Sequence, residues 1–183
     1  MGRTYDAIDE RMAEFLRAQH VFFVGTAPAE GGHVNVSPKG LDTFAVLGPH
    51  TVAYLDLTGS GIETIAHLQE NGRITLLFCA FEGPPRIVRL YGRGSVVVVG
   101  SPEFASLAPR FGSYVSARSI VEVTIDRIAD SCGYGVPLYR YEGERSQLLE
   151  WADRKGPDGI ATYQAERNGT SIDGLPGLRT RTS

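Results

Sequence analysis

The chain of 183 residues sets 18 Lys+Arg against 21 Asp+Glu, a formal net charge of −3 with the signs interspersed, and 42% of it is hydrophobic. One domain with some extra length is expected, burying about 70% of its unfolded surface and so folding without staples. The charge balance excludes the net basic face of a nucleic-acid binder, Cys79 and Cys132 are too few for a zinc site or a disulfide framework, and no apolar run approaches the ~20 residues of a membrane span.

The opening residues, Met1 to Asp6, hold no apolar signal region, so a soluble cytoplasmic protein is expected. Ile8, Met12, Phe15 and Leu16 then recur at helical spacing, with Asp6 as the expected N-cap. Val21 to Thr26 reads as a buried strand, and His33 to Ser37 alternates like a half-buried one. Thr43 to Leu47 and Thr51 to Leu57 are two more strands, parted by Gly48-Pro49. Ser60 and Glu63 stand three apart, the pattern of a capping box, ahead of a helix with Ile62, Ile65, Ala66 and Leu68 on one face and Asn71-Gly72 at its end.

Strands resume over Arg73 to Phe81 and Arg86 to Val99, with Gly92 and Gly94 as bend or bulge points. Ser101-Pro102-Glu103 opens a short helix with proline at its first position, and Ser119 to Ile125 is a last strand. Beyond Arg140 come two helical stretches, one around Leu148, Leu149 and Trp151 and one from Ile160 to Asn168. Ser171 to Ser183 then reads as an extended tail. Six or seven strands with one central helix and short connections predict a small β-barrel with appended helices. A doubly wound sheet is excluded because helices do not alternate with strands.

Three stretches could carry chemistry. In Tyr54-Leu55-Asp56-Leu57-Thr58-Gly59-Ser60-Gly61-Ile62-Glu63-Thr64 a strand passes through two glycines into a helix N-terminus. Free amides and the helix dipole meet there and favour an anion such as phosphate. The same junction would also serve as an ordinary capped turn. In Val34-Asn35-Val36-Ser37-Pro38-Lys39-Gly40, one of only two lysines among 18 basic residues closes a strand. Lysine is a compact charge suited to phosphate, and equally a guard on a sheet edge. In Pro85 to Gly94, period two sets Val88 and Leu90 on one face and Arg89, Tyr91 and Arg93 on the other, as a groove for an anionic aromatic ligand or a solvated strand face would require. Cys79 is expected in the core and Cys132 in a loop, and the four histidines show no metal-ligand spacing.

Taken together, the NVSPKG, LDLTGSGIET and FCAFEGPPRI-RLYGRG stretches resemble the FMN-binding split-barrel family, the pyridoxamine 5′-phosphate oxidase-like proteins, and within it a bacterial subgroup. Ser131 to Pro137 and Ser171 to Gly177 fit the same pattern, so the likeness runs from Asn35 to Leu178. It implies a six-stranded Greek-key split barrel over residues 1–140, with a helical extension over 141–183 packed on the same domain. It also implies a homodimer with FMN at the subunit interface, acting as a flavin-dependent oxidoreductase on a small-molecule substrate. A deazaflavin-dependent reductase and a non-catalytic flavin-binding protein are the alternatives. Ser37, Pro38 and Lys39, with Thr58, Gly59, Ser60 and Gly61, would hold the phosphate and ribityl chain, and Arg89 would approach the flavin ring. The oxidases proper carry Arg-Lys where Ser60-Gly61 stand, Gln where Ile87 stands, and an Arg-Leu-Xaa-Pro ending that Gly174-Leu175-Pro176 replaces. Those departures count against vitamin B6 as the substrate.

Overall fold

The computed structural model describes residues 2–178. Its strands are β1 (Thr4–Tyr5), β2 (Phe22–Thr26), β3 (Asn35–Lys39), β4 (Phe44–Gly48), β5 (Thr51–Leu57), β6 (Arg73–Cys79), β7 (Ile87–Val98) and β8 (Ala117–Ser131). Its helices are α1 (Glu10–Arg17), α2 (Glu63–Asn71), α3 (Pro102–Leu107) and α4 (Gln147–Arg167). All eight strands belong to one sheet, where six or seven were expected, in the order β3-β2-β6-β7-β8-β5-β4 with β1 beside β8. Every pairing is antiparallel.

The sheet curls on itself around one core. Phe22 of β2, near one end of the strand order, lies 5.4 Å from Phe44 of β4 at the other end and 5.7 Å from Tyr54 of β5 (ring centroids). Val24, Leu76, Phe78, Val88, Leu90, Val121 and Val123 fill the same interior, and Met12 and Leu16 of α1 plug it. Burial of this order contributes about 25 cal/mol per Å² of apolar surface. β3 and β4 share no ladder, so the curl is open between them.

Long β7 and β8 make the bend. Their register shifts between Tyr91 and Gly92, where a Cβ on Gly92 would fall 2.1 Å from the Thr124 carbonyl oxygen. Only glycine fits, which is why the bulge sits there. Pro38 is tolerated because β3 is the edge strand and needs no second ladder.

Several local expectations are corrected. The α1 cap is Asp9, whose carboxylate accepts from the Met12 N–H at 2.8 Å, and not Asp6. Ser60 caps nothing: α2 begins after Ile62 with no side-chain cap, so the capping-box pattern does not operate. The third strand starts at Asn35, two residues later than His33. The two C-terminal helices abut as α4, kinked where Gly156 adopts φ 64° ahead of Pro157. The tail turns back between Thr170 and Pro176 instead of extending, and its part beyond 178 lies outside the described residues. Gly72 at the end of α2 (φ 70°) and Ser101 capping α3 are as expected. No helix among the described residues is long and apolar enough to cross a membrane.

Candidate functional site

The edge strand β3 meets the β5–α2 turn at one corner of the barrel. Register pairs Lys39 with Phe22, Ser37 with Val24 and Asn35 with Thr26, so these three side chains take the core side of the sheet. Lys39 reaches inward to Asp56 of β5, Nζ to Oδ1 2.8 Å, and keeps 19% of its side chain exposed. Asp56 is buried, and the Arg118 guanidinium of β8 holds its second oxygen through Nε. Burial alone would push the Asp56 carboxyl upward; Lys39 and Arg118, by charge and hydrogen bond, more than reverse this and leave it below its ordinary value. Two cations flank one carboxylate, so the cluster carries one uncompensated positive charge at the rim.

The turn itself is held from beneath. Thr58 is buried; its N–H and hydroxyl both donate to the Ser116 carbonyl, at 2.7 and 2.8 Å. Gln164 of α4 donates to the Thr58 hydroxyl at 2.8 Å. Asn168, wholly buried, donates to the Gly59 carbonyl at 2.9 Å and accepts from Arg118 at 3.0 Å. Among the described residues the N–H groups of Gly59, Ser60 and Gly61 donate to no acceptor, and the first turn of α2 is uncapped. Ser60 and Gly61, with Asn35, Val36 and Glu63, line a groove of about 540 Å³. Asn35 ties β3 to α2 through a 3.0 Å bond to the Thr64 hydroxyl, and accepts from Ser37 at 3.2 Å. The Glu63 carboxylate is the groove's opposing charge, its Oε2 lying 2.8 Å from where a Cβ on Gly61 would be. Nearby, His67 is buried against the Thr26 hydroxyl at 3.0 Å, and burial lowers its pKa.

The eight residues singled out in the sequence therefore divide. Thr58, Gly59, Ser60 and Gly61 form the turn, with Ser60 and Gly61 on the groove; Ser37 and Lys39 lie on the core side of the adjoining β3, Lys39 tied to Asp56 two residues before Thr58, and neither lines the groove. Pro38 and Arg89 lie on the opposite, outer side of the sheet, because period two turns Pro38 away from its neighbours. There, direct pairing aligns Pro38, Phe23, Leu77 and Arg89 in one row across four strands. Arg89 is half-buried and donates to the Ser131 hydroxyl at 3.2 Å. Cys79 is buried and Cys132 exposed. Asp56, Arg118, Gln164 and Asn168 were missed. A lone carboxylate inside the apolar strand Tyr54 to Leu57 signals a buried cation partner; Asn168 lies 109 residues from Gly59, and nothing local marks it.

These features have known counterparts. The family model described as pyridoxamine 5′-phosphate oxidase matches residues 8–132, and the chain belongs to that family. The Aspergillus flavus pyridoxamine 5′-phosphate oxidase family protein ustO is 40% identical over 96% of this chain and 78% of its own length. That relative is fungal, so the likeness is not confined to bacteria. Two solved structures share the fold: HupZ of Group A Streptococcus (TM-score 0.52, 22% identity, 66% of this chain and 91% of that one) and a pyridoxamine 5′-phosphate oxidase-type protein of Lactobacillus delbrueckii (TM-score 0.53, 18% identity, 69% and 98%). Gln164 and Asn168 lie beyond the matched family region.

Proposed function

We propose that the chain is a cytoplasmic, homodimeric flavoprotein that binds FMN and acts as an oxidoreductase. The observation that carries this reading is the corner's chemistry: a cluster with one surplus positive charge beside three backbone amides that have no acceptor among the described residues. That donor set fits a phosphate dianion. Charge-assisted bonds from Lys39 and bonds from the Gly59, Ser60 and Gly61 amides would hold it, with Ser37 beside them.

Bound FMN would supply two-electron redox chemistry at its ring. Toward the ring, the chain offers the outer row: Pro38, Phe23 and Leu77 as apolar surface and Arg89 as a cation that offsets negative charge. A second copy of the chain placed against this side would bring the two sides of the sheet to bear on a shared cofactor. Val34 and Val36, 75% and 64% exposed at the sheet edge, favour such a partner. Vitamin B6 is disfavoured as substrate, since Ser60-Gly61 stand where the oxidases proper carry Arg-Lys, and Gly174-Leu175-Pro176 replaces the Arg-Leu-Xaa-Pro ending that helps them hold the vitamin phosphate.

The test is to release the ligand from natively purified protein and weigh it. FMN is expected, with a thermal shift when FMN is added to stripped protein. A deazaflavin mass would reassign the cofactor. Colourless protein that FMN does not stabilise overturns the reading. Bound FMN with no reduction by NAD(P)H or by any other donor overturns the enzymatic part alone.

A further inference from the structure

The outer row passes through Phe23. There it enters a separate cavity of about 450 Å³, floored by Val21 and Phe23 and walled by His20, Phe81, Tyr139 and Tyr141. Two aromatic pairs build its walls. The His20 and Tyr141 rings stack at 3.5 Å between centroids and 5° between planes, and Phe81 and Tyr139 at 5.4 Å and 21°. Both tyrosines belong to the segment after β8, beyond the family region, and are held by the backbone: the Tyr139 N–H donates to the Phe81 carbonyl at 2.9 Å and the Tyr141 N–H to Glu82 at 3.1 Å. Yet Tyr139 is 64% exposed and Tyr141 41%. Large rings fixed in place but left in water form a stacking surface prepared in advance.

The rim chemistry narrows the guest. Glu82, Arg140 and Glu142 line the rim, and Arg140 pairs with Glu142 at 3.7 Å, so among the lining residues no spare lysine or arginine welcomes an anion. The cavity is thus the reverse of the Lys39 corner, apolar and slightly acidic. Its volume is that of a small-molecule pocket. Phe23 stands two strand spacings, about 10 Å, from Arg89 along the row.

We propose that this aromatic-walled cavity binds the second reactant of the flavin site, a planar aromatic small molecule without phosphate or other strong negative charge. Its role as a reactant site rests on the flavin reading above; the binding itself does not.

The probes are neutral N-phenyl-1-naphthylamine and its anionic counterpart 8-anilinonaphthalene-1-sulfonate, titrated by fluorescence into the purified full chain. The neutral probe should bind more tightly. Tyr139→Ala should weaken it about fivefold, and the Tyr139→Ala/Tyr141→Ala pair about twentyfold, with flavin absorbance unchanged. Val21→Phe fills the floor without touching the tyrosines and should weaken the probe comparably, which keeps the test decisive if the tyrosine variants fold poorly. Equal binding to wild type, the double variant and Val21→Phe overturns the site. Equal or tighter binding of the sulfonate overturns the stated ligand class. Probe binding lost in the variants of a protein that carries no flavin leaves the pocket standing and overturns its role as a reactant site.

Discussion

Replacing Lys39 by methionine tests the phosphate corner most directly, because it keeps the apolar stem and deletes the charge. Two effects are separable. The first is on the fold: Lys39 sits 2.8 Å from buried Asp56. Breaking a fully buried pair costs about 3–5 kcal/mol. Arg118 remains on the other Asp56 oxygen and Lys39 is one-fifth exposed, so about 1–3 kcal/mol is expected after that screening. For a domain of this size that lowers Tm by roughly 2–12 °C. The second effect is on the ligand: the cluster falls from a surplus of one positive charge to neutrality. A charge-assisted phosphate bond contributes about 1.5–3 kcal/mol, a factor of roughly 10 to 150 in FMN affinity. Riboflavin, which has the ring but no phosphate, separates the two. FMN affinity should fall by that factor while riboflavin affinity stays within about twofold. If both ligands weaken equally, Lys39 acts through the fold alone; if neither weakens, the corner does not hold phosphate.

Further consequences concern the groups around Lys39. Because Asp56 titrates below its ordinary value in the folded chain, its contribution to stability is complete above the usual carboxylate range near pH 4 and is lost as pH falls through the folded value. Lys39→Met should therefore raise the acid-unfolding midpoint followed by circular dichroism; an unchanged midpoint would place the lowered titration elsewhere. Asn168→Ala removes one buried and one part-buried hydrogen bond and leaves Arg118 and the Gly59 carbonyl short of a partner, about 2–3 kcal/mol by chemical denaturation. Its hydrogen exchange should quicken at the β5–α2 turn before it does in β7, and uniform quickening would contradict a local role. Glu63→Gln removes the carboxylate that now sits beside the open amides, so FMN should bind more tightly by about 0.3–1 kcal/mol at low salt. Weaker binding would mean that Glu63 serves the ligand.

The elements were legible where a periodic signal matched a burial demand. The apolar run of β2, the alternation of β7 and the glycine at the end of α2 needed no tertiary information. The caps were harder, since two carboxylates three residues apart, Asp6 and Asp9, compete for one helix start and only the path of the chain decides. Ser60 and Glu63 matched a cap in spacing, yet the backbone at Ile62 (φ −128°) leaves the helix uncapped and Ser60 free at the groove. Among the site residues, those on one continuous stretch were found together. The stretch around Lys39 was read as a unit although a strand sends alternate side chains to opposite faces, which is how Pro38 parted from Ser37 and Lys39. Arg118, Gln164 and Asn168 meet the corner only through the folding of β8 and α4 back upon it, a long-range event that no local window contains.

Where β3 faces β4 the barrel wall has a seam, and no peptide-to-peptide ladder stitches it. Lys39 throws its ammonium across that seam to Asp56, so one side chain serves as both fastener and receptor. A phosphate arriving at the seam draws on the charge that keeps the wall shut, and the wall's closure in turn sets how much of that charge is left to offer.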